Sequence, residues 1–237
     1  MQRGIQAKGM ARRNKMVRAA IRLILENGYE ATSTIAIAKA AGYAPSAFFS
    51  VFDNKEALLL FLTNRMFAGQ FAQAEHTLGS RTDPLLVYAA ECALQLHITE
   101  LSESVRSAYT AAYSLPTTSE FIYRHMAERL MHTFAPYMPG AELKDFYEME
   151  IASGGIMRGF SARPCDMYFT MERKVRRFLG CVFTMFRVPD EKQEKLIGAV
   201  LQLDLQTAAR NLVRKVIAEA ESDMGMADDT ALQAKKI

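Results

Sequence analysis

Two short helical segments joined by a turn that glycine eases constrain this chain more than anything else in it. They lie in TSTIAIAKAAGYAPSAFFSVFDNKEAL, from Thr32 to Leu58. Thr32 or Ser33 offers a side-chain oxygen to cap the first segment, whose Ile37, Ala38 and Ala41 share one face; Gly42 supplies the backbone freedom that ends it. Pro45 suits the first position of the second segment, because its missing N–H would have no helical partner there. Phe48 and Phe52, four apart, give that segment a buried side. Helices joined so tightly cross steeply, which leaves the outer face of the second open to the major groove of DNA.

With ENGYEATS (Glu26 to Ser33) before it and FDNKEAL closing it, the segment resembles the DNA-binding region of TetR-family transcriptional regulators over roughly Lys15 to Leu60. The likeness lies in an ordered set: a helix, Asn27-Gly28-Tyr29, a Thr/Ser cap, Ala41-Gly42, paired aromatics and Lys55-Glu56. It implies a homodimer on a palindromic double-stranded operator, with phosphate contacts at Ser33 or Thr34, at Lys55 and along the recognition helix, Ala44 to Val51. The chain departs from the family there. It has Ala44-Pro45 where relatives carry Ser or Thr before Lys or Arg, and Phe49, Ser50 and Val51 where they carry hydroxylated aromatics. The expected reading surface of Tyr43, Ala44, Pro45, Ser46, Ala47, Phe49 and Ser50 is therefore poor in donors. Ser46 and Ser50 are left for base edges or phosphates, and Ala44 or Ala47 for thymine methyl groups.

Charge agrees with that placement. Residues 1–60 carry nine Lys/Arg against four Asp/Glu, and the rest carry twenty against twenty-two, so the net +3 hides a basic end. Positive excess on one small domain is what phosphate neutralisation requires. Half of the residues are hydrophobic, enough for a substantial core without metal or disulfide. Cys92, Cys165 and Cys181 are odd in number and lack metal-type spacing, which fits a reducing cytoplasm. No apolar run reaches the roughly 18 residues of a membrane helix, and no signal core follows the basic N-terminus.

Along the chain, residues 1–10 read as an arm whose Arg3 and Lys8 can reach phosphate or a minor groove. A first helix follows to Asn27, with Val17, Ala20, Ile21 and Ile24 on one side and Arg12, Arg13, Lys15, Arg18 and Arg22 around them. Residues 1–54 make the arm and the three-helix helix-turn-helix domain. Residues 55–222 make a larger helical ligand-binding and dimerisation domain, and 223–237 a flexible tail. A long connecting helix runs from Lys55 to His76. Further helices are punctuated by Gly79-Ser80, Asp83-Pro84, Pro116, Pro136, Pro139 and Pro164, and no strand alternation persists, so the fold class is all-α. Apolar stripes at Tyr168, Met171, Val175, Phe178, Val182 and Phe186, and at Leu201, Leu205, Ala208 and Leu212, suit a four-helix interface. The family's closing pair implies that the helices at 167–186 and 190–221 form the homodimer.

The middle helices are rich in Phe, Tyr and Met. Tyr109, Tyr113, Phe121, Met126, Phe134, Met149, Met157 and Phe160 are candidates for an effector cavity, each also suited to ordinary core. A catalytic reading finds no phosphate loop, nucleophile elbow or metal motif, and neither cofactor nor metal is expected. His97 with Glu100, and Glu128 with His132, are one helical turn apart but suit hydrogen bonding better than a metal; Cys92 and Cys165 are weak redox candidates. The sequence thus points to a cytoplasmic DNA-binding regulator, a repressor released by a small, largely apolar ligand. The competing readings are a helix-turn-helix used for protein contacts alone, and a helical ligand-binding protein or enzyme.

Overall fold

A computed structural model describes residues 2–79 and 83–221, without the side chains of residues 2–8 and 219–221. The described chain is helical and contains no strand. The head consists of α1 (Gln2–Asn27), α2 (Thr34–Ala40) and a 3₁₀ helix (Pro45–Ser50), the segment expected to be the recognition helix. The body follows as α3 (Lys55–Leu78), α4 (Pro84–Thr99), α5 (Glu103–Ala112), α6 (Pro116–Phe134), α7 (Leu143–Ala162), α8 (Met171–Met185), α9 (Asp190–Leu201) and α10 (Leu205–Glu221).

Capping explains many of these boundaries. Ser33, Asn54, Asp83, Ser102 and Thr170 each accept a backbone N–H in the first turn of the helix they precede, satisfying a donor that has no partner inside the helix. Gly28, Gly42 and Gly79 sit at φ between 63° and 83°, where a side chain would be strained, and close α1, the α2 turn and α3. At the centre lies α4, whose Leu85, Ala89, Ala93, Leu94, Leu96 and Ile98 are buried and whose neighbours include α3 and every later helix. A helix apolar on all sides has to be wrapped in this way.

Three expectations need correction. The segment read as an arm is helical, since α1 begins at Gln2; neither Gly4 nor Gly9 breaks it, because each costs only about 1 kcal/mol within a helix. Arg3 and Lys8 lie outside the described side chains. The stretch 190–221 is two helices rather than one. Leu203 N–H turns back to the Val200 carbonyl, and Asp204 then accepts from Thr207 N–H at 3.1 Å to start α10. The tail at 223–237 lies outside the described residues.

The third correction concerns the stripes assigned to a dimer at 167–186 and 190–221. Val175, Phe178, Val182 and Phe186 are at most 1% exposed within one chain, and Leu205, Ala208 and Leu212 face α1, α3 and α4. Burying each such side chain yields about 1.5–3 kcal/mol, so the chain's own core has already used them. The first stripe also begins late. Asp166 accepts from the N–H groups of Tyr168 and Phe169, both at 2.8 Å, and this turn delays α8 to Met171.

Candidate DNA-binding face and ligand cavities

The head is assembled around Phe48. Its ring is fully buried, with Phe52 at 5.8 Å and Phe49 at 5.5 Å between centroids. Gly42 reverses the chain, Ala44 enters extended, and Pro45 opens a helix whose Ala47 and Val51 N–H groups bond three residues back to Ala44 and Phe48. The result is a tight 3₁₀ element in place of a longer α-helix. Ala44, Pro45, Ser46, Phe49 and Ser50 are exposed on it, Phe49 by 58%, while Tyr43 and Ala47 are half-buried. Ser33 is exposed and accepts from Ala36 N–H at 3.1 Å; Thr34 is half-buried at the start of α2.

Two features of this face were not read from the sequence. Ile35 is 53% exposed beside Ser33 and Thr34, because the buried face of α2 is set by Ile37 and Ala38. Arg12 reaches from α1 to the recognition helix, donating to Ser50 Oγ at 3.0 Å and lying over the Tyr43 ring at 5.5 Å, with Lys15 over the same ring at 5.9 Å. The Ser50 hydroxyl itself donates to Ala47 O at 2.7 Å. Basic charge missing from the recognition helix is therefore supplied by its neighbour.

Lys55 points elsewhere. Its ammonium donates to Tyr29 O at 3.1 Å and Glu30 O at 3.4 Å and sits 4.2 Å over the Tyr29 ring. Burial, helped by Glu30 and Glu56, pushes the Tyr29 phenol up to about 12, so this partner stays neutral. The next residue, Glu56, caps a different helix: its Oε1 accepts from Thr117 N–H at 2.6 Å and Thr118 N–H at 3.1 Å, at an α6 start that has no side-chain cap of its own. One carboxylate thereby joins the N-terminal end of α3 to α6.

Inside the body, a small cavity of about 30 Å³ lies between α3, α4, α6, α7 and α8. Its polar lining is unusual for such depth. Glu150 is 4% exposed, accepts from Ser153 Oγ at 2.5 Å, and is pushed up to about 8 by burial. Glu91 is pushed up to about 7 by burial, a rise limited by Arg129, whose Nη2 donates to Glu91 Oε1 at 2.5 Å. Glu91 Oε2 has no hydrogen-bond partner among the described residues. Gln95 and the Tyr113 hydroxyl bond at 3.0 Å, and Gln70 bonds the Tyr109 hydroxyl.

Of the effector candidates, Tyr113, Met126 and Met157 line this cavity, and Tyr109 meets it through Gln70. Phe134 instead stacks on Phe186 at 4.1 Å in the core, Phe160 packs on Phe169 and Phe178, Phe121 stacks on His125, and Met149 is half-buried. Glu100 is engaged by Lys174 Nζ at 2.5 Å, Cys165 N–H at 3.1 Å and Arg106 at 3.5 Å, so it does not pair with His97. Burial pushes both the Cys92 and the Cys165 thiol up, away from the reactive thiolate. Among the described residues no cluster of metal-binding side chains occurs, and no helix is long and apolar enough to cross a membrane.

Residues 16–62 match the family model described as bacterial regulatory proteins, tetR family. Among solved structures the chain is similar to SmeT, the repressor of the Stenotrophomonas maltophilia multidrug efflux pump SmeDEF. The identity is 19%, the TM-score 0.52, and the match covers 73% of this chain and 88% of that one. It is also similar to a gamma-butyrolactone receptor (ArpA-like protein) at 16% identity and a TM-score of 0.45, over 88% of this chain and 99% of that one. No curated protein matches the chain.

Proposed function

We propose, from the match of residues 16–62 to the TetR family of DNA-binding transcriptional regulators, that this chain acts as a homodimeric repressor released by a small molecule. The observation that carries the reading is the exposed recognition helix with Arg12 and Lys15 gathered beside it. Ser46 and the apolar surfaces of Ala44, Phe49 and Ile35 read base edges and thymine methyl groups, while the α1 cations and helix ends hold phosphate. Two such heads on a palindrome engage half-sites about one helical turn, roughly 34 to 36 Å, apart.

The effector enters the interior cavity. Its present volume holds about one water, so a larger molecule displaces Met126 and Met157, whose unbranched side chains repack at low cost. Such a ligand is largely apolar and carries a hydrogen-bond donor for Glu91 Oε2 or Gln95. Met126 lies on α6, and the first turn of α6 is capped by Glu56, so displacement of α6 moves the DNA end of α3. The dimer uses the outer faces of α7 and α8. Exposed Ile151 lies on α7 and exposed Met167 and Tyr168 in the turn that joins the two helices, and Gly155, Gly159 and Gly180 meet nothing within 4 Å of an added Cβ, which permits close approach of a second copy.

Selection from a random duplex pool, followed by titration of the selected site, tests the first part: binding should occur as a dimer and weaken steeply with salt. A salt-independent affinity, or no enrichment from the pool, overturns it in favour of a protein-contact module. For the switch, Glu56→Ala should keep operator binding within a few-fold yet lose the response to whichever ligand releases the wild type. An unchanged response means that α6 is not the coupling element.

A further inference from the structure

A second cavity, larger than the interior one, lies where the head meets the body. It holds about 120 Å³ between α1, α3, α5 and α10 and is partly open to solvent, with half-buried Ile21, Leu62, Met66, Ala108, Val213 and Val216 among its walls. The lining is almost wholly hydrocarbon. Tyr109 and Tyr113 also border it, but their hydroxyls are turned to Gln70 and Gln95 in the body, so the cavity meets their rings. Apolar surface left in such a recess gains by being covered, and an apolar cavity of about 150 Å³ takes up benzene or xenon.

We propose that this junction cavity is a second small-molecule site, separate from the interior one, for an uncharged aromatic or hydrocarbon group of about the size of benzene. A charged or strongly polar ligand is disfavoured, because it would lose hydration against walls to which only Thr63 and Arg65, besides the two tyrosines, bring polar side chains. The enclosure depends on the close approach of α10 to α3 at Gly69, where an added Cβ would stand 3.1 Å from Leu212 Cδ1. All four wall helices must hold their positions for the cavity to exist. An occupant therefore favours this placement of α1 on the body and resists a shift of α3. Phe67 and Tyr113 line both cavities, so the two sites share a wall.

The proposal stands apart from the identity of the DNA site or the effector, and its test uses benzene as the probe on the full chain. At ten times its Kd, benzene should raise the Tm of the wild type by about 3 to 6 °C, saturably, and slow amide exchange in α1 and α10. Ala108→Leu fills the cavity from α5 and should abolish both effects; Val213→Phe does so from α10 should the first variant fold poorly. Met157→Phe, in the interior cavity, should leave the benzene response intact. No saturable rise in the wild type overturns the proposal. So does a response that survives in a folded filling variant or is lost on Met157→Phe, since either places benzene elsewhere.

Discussion

Glu150→Gln turns the burial of one carboxyl into a measurable dependence on pH. Glu150 is buried, faces Ser153 with no ion-pair partner among the described residues, and is pushed by burial to about 8 from an ordinary 4.5. The folded chain therefore holds a proton that the unfolded chain releases above about pH 4.5. Stability from this group is complete below pH 4.5 and falls as pH rises to about 8, at roughly 1.4 kcal/mol per pH unit. The loss amounts to about 3 kcal/mol at pH 7 and up to about 5 kcal/mol at pH 9. Glutamine keeps the shape, and its amide oxygen accepts the Ser153 hydroxyl, but it has no proton to lose. Urea melts of both proteins from pH 4.5 to 9 should give a stability difference that grows in favour of Glu150→Gln by these amounts. Taking the difference removes every group the two proteins share. A flat difference across that window would refute the reasoning, and one growing in favour of the wild type would show that Glu150 has an unrecognised cationic partner.

Lys55→Met should destabilise the chain by about 1 kcal/mol, through loss of the Tyr29 and Glu30 carbonyl bonds and the ring contact, and should leave the order of preference among duplexes unchanged. An unchanged denaturation midpoint with altered sequence preference would instead make Lys55 a base reader. Gly69→Ala sets a helix-propensity gain of about 1 kcal/mol against the 3.1 Å approach to Leu212. Leu212 borders the junction cavity and can move into it, so a net stabilisation of about 0.5 kcal/mol is expected in a urea melt. A loss of about 1 kcal/mol or more would show that α10 cannot yield there.

The head was legible because its signals are local. Ser33, Gly42 and Pro45 act within a few residues of where they stand, and so their caps and turns could be read in order. The exposed Ala44, Ser46, Phe49 and Ser50 follow from the same pattern once Phe48 and Phe52 are buried. What escaped was non-local. Arg12 on Ser50, Lys55 on Tyr29 and Glu56 on Thr117 join residues 26 to 61 positions apart, and nothing in the spacing of either partner announces the other. An amphipathic stripe reports that a face is covered without saying by what. The seam of α8 thus looked the same whether its cover was a second chain or α4 of its own. The split between α9 and α10 was hidden because it uses Asp204 as a cap with neither glycine nor proline to mark it.

The packing of α10 on α1 orders events in time. These two helices come from opposite ends of the described chain, and a chain emerging from the ribosome presents its N-terminal segments first. The helix-turn-helix has its internal contacts, from Phe48 to Arg12, as soon as residues 2–54 are free. Part of the joint that seats this head on the body forms with α5, but the part that α10 supplies waits for Leu205 and Leu212, a closure over long sequence distance that is intrinsically slow. During synthesis the head thus precedes the last helix that packs on it, and chains shortened within α10 would keep a head held by α5 alone.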